Sequence, residues 1–522
     1  MFKITNSILT FITSINLLLL VYNLFVLRGI KPEGYDINIY EQLPFHFFLT
    51  LLFCVFSASI MLLAYRKMSA VLILFLVHIT VLTIPYMLGY VSVGRGGEFS
   101  YMGFAGDDWL LSISNSSPFG SLFISPLALV SGLDPWVLSY FLPVFFSIMF
   151  ISGMFLFYRA FMNREKLLLV TFLSSLIPYF GYFQVSTFPY YLCFCLVPLY
   201  LFVLRNAFAT KNRAMTVCLL FMMPLLLLAD PFIIAYLICF SLSFAVSGTI
   251  LKPGFLHKIL SLNFLSLSSS HFTGRKASLF VFLSLTSGGF LLCSKYAPNL
   301  VDVFLSTLSI STEILMAAGL FRLLETDGGI LKFVHLFNLY YGKYYIPFIF
   351  IIINSIIVWQ NRKRFCQHLI HRYPRFLILY ISTFFMELVF LLNPFIPYPL
   401  DRFTNLSFII FAQIPLLGYS LYIIFLRKGS ILGLGSAVLV LCLLWTLGFF
   451  TCFSSPYTGG ISEAVSQNEV YRFQWLSGVN ENHSYIMSFE EKEGSNALPE
   501  KFSGNLNRSA ELTKISDVHI YT

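Results

Sequence analysis

Long apolar runs, each closed by a short polar stretch, dominate the chain. They lie near 8–27, 45–65, 69–91, 136–158, 167–186, 188–205, 214–229, 232–250, 278–295, 343–361, 376–394, 403–426 and 431–453. In lipid, a run of about 18 residues or more satisfies its backbone groups internally only as a helix, and a barrel strand would instead alternate apolar and polar positions. The pattern therefore predicts an all-α polytopic membrane fold with about thirteen transmembrane helices. Phe11 to Leu27 continues as a full span with no small-residue cleavage site, so the first run reads as a retained helix rather than a removed leader.

Composition agrees with the pattern. Of 522 residues, 57% are hydrophobic and 11% charged, whereas an ordinary soluble chain carries about 25% charged residues. Mean hydropathy is +0.80. The formal net charge of +9 is spread over short clusters between the runs, which reads as a topology signal and excludes a nucleic-acid surface. With the N-terminus in the cytoplasm, the inner loops hold Arg66/Lys67, Arg159/Arg164/Lys166, Arg205/Lys211/Arg213, Lys252/Lys258/Arg275/Lys276, Arg362 to Arg375 and Arg427/Lys428. The outer loops are much poorer in base, which is the positive-inside pattern of a multi-pass plasma-membrane protein. That orientation leaves the C-terminus extracytoplasmic.

The acids fall the other way. Glu165 is inner and Glu387 lies within a span. Glu33, Asp36, Glu41, Glu98, Asp107, Asp108, Asp134, Asp230, Asp302, Glu313, Glu325, Asp327 and Asp401 are expected outside or at an outer helix end. Avoidance of the anionic inner leaflet explains any one of them, but several at one face suggest a chemically loaded surface.

Three outer segments exceed a turn. Within 93–135, Tyr101 to Ile113 is expected as an interfacial helix, and Phe119 to Leu133 is apolar but too short to span. Segment 295–343 includes an apolar stretch, 303–320; counting it as a span would move the basic 361–375 loop outside, so an outer re-entrant or surface helix is preferred. The tail 454–522 turns polar and acidic, a small extracytoplasmic appendage with a strand or two. The organisation expected is a two-helix N-terminal hairpin over 1–68, a core over 69–453 and the tail over 454–522. No pair of matching Gly/Pro-broken spans marks two halves.

Several chemistries find no support. The nine cysteines lie almost all in or beside apolar runs, and the nine histidines show no ligand spacing. His78, inside the third span, is the most unusual, although a lone intramembrane histidine is more often a hydrogen-bonded core residue than a catalyst. No GxSxG, Walker-type or GxGxxG context occurs. Asn115, Asn405, Asn482 and Asn507 begin outer sequons.

The strongest candidates are Asp107 and Asp108, after Gly106 in the first long outer loop. Adjacent carboxylates repel, so one holds its proton or a cation neutralises the pair, as a general base or a metal site requires. The alternative is a wet interfacial loop with a helix cap. Arg402, in NPFIPYPLDRF, is costly at an outer helix end unless it meets an anion; snorkelling or pairing with Asp401 is the bland account. Asp230, before Pro231, reads first as an N-cap that faces the same cavity at most. Glu98 and Asp36 complete the supporting acids.

The acidic outer loop with its short juxtamembrane helices, the SGLDPWVLSYFLPVFFSIMFISGMFLFYRAF continuation, the late PLDRF and the polar outer tail resemble the GT-C superfamily of integral-membrane glycosyltransferases. GYDINIYEQLP, GRGGEFSYMGF and SPYTGGISEAVSQNEVYRFQWL further resemble its archaeal members. The chain departs from that pattern where Gly97 and Tyr101 stand in place of an acid and a histidine. The resemblance implies transfer of a sugar from a polyprenyl-phosphate donor at the extracytoplasmic face to a protein, lipid or glycan acceptor. It also implies Asp108 or Asp107 as base or ligand of a divalent cation (Mg or Mn), and Arg402 on the donor phosphate. The expected partners are that donor and membrane lipids. A flippase or transporter of lipid-linked saccharide, or an inactive membrane scaffold, is the alternative.

Overall fold

The structure is a computed structural model that describes residues 6–30, 38–93, 124–133, 135–159, 162, 164–210, 213–229, 237, 334–335, 338, 342–360, 380–381, 383–384, 410–427, 429–455 and 465–468. In chain order its helices are α1 (Asn6–Gly29), α2 (Ile39–Gln42), α3 (Phe45–Tyr65), α4 (Met68–Met87), α5 (Ser125–Ser131) and α6 (Pro135–Arg159). They continue with α7 (Glu165–Ser175), α8 (Pro189–Thr210), α9 (Arg213–Ala229), α10 (Tyr345–Gln360), α11 (Ile410–Leu421) and α12 (Ile431–Thr451). Strands β1 (Tyr90–Ser92) and β2 (Val465–Ser466) pair antiparallel.

Among the described residues, five helices are long and apolar enough to cross a membrane: α1, α3, α4, α6 and α12. Shorter apolar helices are Tyr191–Ala207 within α8, Tyr345–Ile357 within α10, and Ile410–Leu426, which begins with α11. The protein is thus a mostly helical, membrane-spanning one. The run near 278–295, and nearly all of those near 232–250 and 376–394, lie outside the described residues.

Polar side chains fix the register of the first helices. Residues buried on α1 are Leu9, Asn16, Leu20, Asn23 and Leu27, a seam with three- and four-residue steps that keeps one face on a neighbouring helix. Asn16 and Asn23 are a heptad apart, and so are their partners on α3: Ser57 donates to Asn16 Oδ1 at 2.9 Å, and Thr50 to Asn23 Oδ1 at 2.7 Å. Lipid tails are as apolar as leucine, so such interhelical bonds and close packing do here what apolar burial does in water. Close packing is plainest at Gly418 of α11, where a β-carbon would lie 2.3 Å from Thr171 Oγ1 and 3.0 Å from Thr171 Cα on α7.

Side-chain contacts define two opposite ends. At one, Lys67 donates to Asn6 Oδ1 at 2.8 Å, Arg66 pairs with Glu165 at 2.7 Å, and Arg164 bonds the Tyr422 hydroxyl at 3.1 Å. Arg66 takes the left-handed conformation, φ 53°, and its N–H reaches back to the last carbonyls of α3, which lets α4 begin two residues later. At the other end, Tyr40 of α2 bonds the last turn of α12, Gln42 donates to the Tyr90 hydroxyl at 2.9 Å, and Gln467 N–H donates to Gly89 at 2.9 Å. Tyr86, at the end of α4, lies against Tyr140 at the start of α6, with ring centroids 4.5 Å apart.

One expected span is corrected. The run near 167–186 is not one continuous helix: α7 stops at Ser175 after 11 residues. Leu176 to Phe188 is irregular apart from a 3-10 turn at Gly181–Gln184. Pro178 and Gly181 interrupt an apolar run that hydropathy alone reads as continuous.

Candidate functional site

Irregular backbone at membrane depth persists only where protein groups satisfy it. The Leu176 N–H bonds Leu173 at 3.2 Å, and the Tyr179 hydroxyl donates to the Ser174 carbonyl. Tyr86 reaches across from α4 to the Val185 carbonyl at 2.7 Å. On α12, Gly448 lets the segment approach closely, since a β-carbon there would meet the Pro178 carbonyl oxygen at 2.5 Å.

Three buried polar side chains converge beside this break. His78 of α4 and Ser147 of α6 are bonded at 2.7 Å, Nε2 to Oγ. The Gln184 amide nitrogen lies 3.5 Å from His78 Nε2 and 3.4 Å from Ser147 Oγ. Tyr191 of α8 also bonds Ser147. All three side chains are at most 3% exposed, and Gln184 Oε1 makes no hydrogen bond among the described residues. His78 Nδ1 lies near the Leu176 backbone without meeting hydrogen-bond geometry. The cluster ties α4 and α6 to the broken segment. Of its members only His78 stood out in the sequence. Ser147 and Gln184 are single polar residues in apolar runs, and nothing marks them until the fold brings them together.

The acids and arginine singled out in the sequence, Asp36, Glu98, Asp107, Asp108, Asp230 and Arg402, all lie outside the described residues. The residues that flank them are described. Asn38 follows Asp36 and caps α2. Val93 precedes the segment with Glu98, Asp107 and Asp108, directly after β1 at the Tyr40 end; Ile124 and α5 follow it, ahead of the start of α6. α5 falls within the short apolar stretch expected at the outer boundary, with Leu129 80% and Val130 87% exposed. α11 starts eight residues after Arg402. It runs to the Arg164 end, so Ile410 lies about 18 Å from Tyr422, toward the Tyr40 end.

At that end the Tyr40 hydroxyl donates to the Phe449 carbonyl at 2.6 Å and accepts from the Phe453 N–H at 2.9 Å. Its ring sits among Phe449, Phe450 and Phe453, with centroids 5.3–5.7 Å away. Burial, and secondarily the neighbouring Cys452, push the Tyr40 phenol well above its ordinary pKa. No group of three or more His, Cys, Asp and Glu that could hold a metal occurs among the described residues. Compared with protein-family models and with curated proteins, the chain finds no match.

Proposed function

We propose that the protein is a membrane glycosyltransferase of GT-C type with about thirteen spans. It takes a sugar from a polyprenyl-phosphate donor at the extracytoplasmic face of the plasma membrane, its N-terminus in the cytoplasm and its C-terminal tail outside. One observation carries the reading. The described residues flanking Asp36 and the Glu98–Asp108 segment lie at the Tyr40 end of the bundle, opposite the end that gathers Arg66, Lys67 and Arg164. Basic residues at one end and acid-bearing connections at the other are what an outward-facing site requires.

In this reading an acceptor hydroxyl or amide attacks the anomeric carbon. The bond from that carbon to the phosphate oxygen breaks, and the glycosidic bond forms. Asp108 or Asp107 takes the acceptor proton, and Arg402 stabilises the charge gathering on the departing polyprenyl phosphate. Glu98, Asp230 and Asp36 are supporting acids, and the Asp107–Asp108 pair is suited to a divalent cation, Mg or Mn, held by oxygen ligands. The other partners are membrane lipids.

The test uses the protein in lipid nanodiscs with polyprenyl-phosphate mannose or glucose and solubilised membrane acceptors, measuring release of polyprenyl phosphate. Asp108→Asn is expected to lower the rate by about 10²-fold or more, and Arg402→Ala to lower it as well. Unchanged rates in both variants remove the site assignment. No release from the unmodified protein removes the reading.

A second reading is transport of a lipid-linked saccharide, favoured by the broken α7 segment with polar side chains at its depth, an arrangement that lines binding sites in many transporters. Movement of intact donor across liposomes, without release of polyprenyl phosphate, would select it.

A further inference from the structure

Beside His78, where α3, α4, α7 and α12 meet, lies a small cavity lined mainly by Val55, Leu74, Leu173, Ile177 and Leu441, with Ser59, His78 and Trp445 as its polar side chains. Its room amounts to about one water molecule, too little for an isoprenoid chain or a sugar. A void of that size stays dry when its walls are wholly apolar and fills when two or more polar groups face it. The polar groups here are suitable. His78 is buried, its Nδ1 makes no hydrogen bond among the described residues, and the nearby Leu176, at the frayed end of α7, shares the lining. Ser59 of α3 is 1% exposed and shares the lining too.

We propose that this cavity is a binding site for a single resident water molecule, which bridges His78 Nδ1 to the Ser59 hydroxyl and the Leu176 carbonyl. The water completes the partners of the imidazole, whose Nε2 is already held by Ser147 and Gln184. Its energetic role follows from the cost of a buried nitrogen left unpaired, which exceeds the cost of immobilising one water. The inference rests on neither functional reading above, because it concerns the interior and not the acidic end.

The deciding experiment is water-edited solid-state NMR on the full chain in lipid bilayers with ¹⁵N-labelled histidine. The His78 signals are assigned by their disappearance in His78→Gln. Magnetisation transfer from water to the His78 ring is expected, because a molecule sits against Nδ1 of this buried imidazole. Absence of transfer overturns the proposal. Ser59→Val fixes the position, since it removes the hydroxyl and fills the space: loss of the transfer together with a lower melting temperature is expected. If transfer persists unchanged, the water is not where it is proposed. A raised melting temperature, the response of a dry void that has been filled, overturns it also.

Discussion

The Tyr40 hydroxyl donates to the Phe449 carbonyl at 2.6 Å, joining positions 409 residues apart. The same oxygen accepts the Phe453 N–H at 2.9 Å, so one phenol from a four-residue helix caps the final described span. The last carbonyls of a helix lack intrahelical partners, and at a buried end some other group must bond them. Tyr40→Phe keeps the ring packing and deletes both bonds. Because the Cys452 N–H also reaches the Phe449 carbonyl, at 3.1 Å, the loss is expected at about 1–2 kcal/mol, read as a lower melting temperature in detergent.

The same residue gives a pH dependence. Burial raises the Tyr40 pKa in the folded protein, so the folded state holds the phenol proton more tightly than the unfolded chain does. The associated stabilisation is complete below the ordinary phenol pKa of about 10 and is lost as the pH rises beyond it. The gap in melting temperature between the unmodified protein and Tyr40→Phe should be constant from about pH 7 to 9 and shrink above about pH 10. A gap that widens above that value contradicts the assignment.

Close helix approach gives a third expectation. Gly418→Ala would place a β-carbon 3.0 Å from Thr171 Cα, and backbone must move to relieve it, at about 1–3 kcal/mol. Gly435 of α12 is the control: a β-carbon there has no neighbour within 4 Å, so Gly435→Ala should be neutral or stabilise by up to about 1 kcal/mol. Thermal unfolding of the two variants side by side checks both.

A buried polar ladder ties α10 to α11. Asn354 donates to Gln413 Oε1 at 2.5 Å, Gln413 donates to the Tyr380 hydroxyl at 3.0 Å, and Ser420 bonds Asn354 Oδ1 at 3.4 Å. A double-mutant cycle of Asn354→Ala and Gln413→Ala should give a favourable coupling of about 0.6 kcal/mol, the average for interhelical hydrogen bonds in membranes, and at most about 1.7. No coupling would mean the two side chains find other partners.

Much of the architecture is written in hydropathy. The apolar runs at 8–27, 45–65, 136–158 and 431–453 coincide with α1, α3, α6 and α12 to within a few residues, because a lipid-facing helix must be apolar over its whole length. That Arg66 and Glu165 belong at one end of the bundle was legible in the same way, and they meet. The break after Ser175 was not, since a hydropathy window averages over Pro178 and Gly181. Nor was the pairing of Tyr40 with α12, which depends on packing between distant segments. Of the buried cluster His78 alone stood out, because an imidazole is rare in a span and a serine or glutamine less so. Asp107, Asp108 and Arg402 lie outside the described residues, and the case for them rests on residue type, position along the chain and the ends from which their segments leave.

The proposed placement of acids at one membrane face and bases at the other is tested most directly by one-sided labelling. Single cysteines introduced as Ser112→Cys, beside the aspartate pair, and as Lys363→Cys, in the basic turn, are treated in intact cells with a membrane-impermeant maleimide, with the unmodified chain as baseline. Ser112→Cys should label in intact cells, and Lys363→Cys only after permeabilisation. Labelling of Lys363→Cys from outside, with Ser112→Cys protected, would turn the molecule over and contradict an extracytoplasmic site.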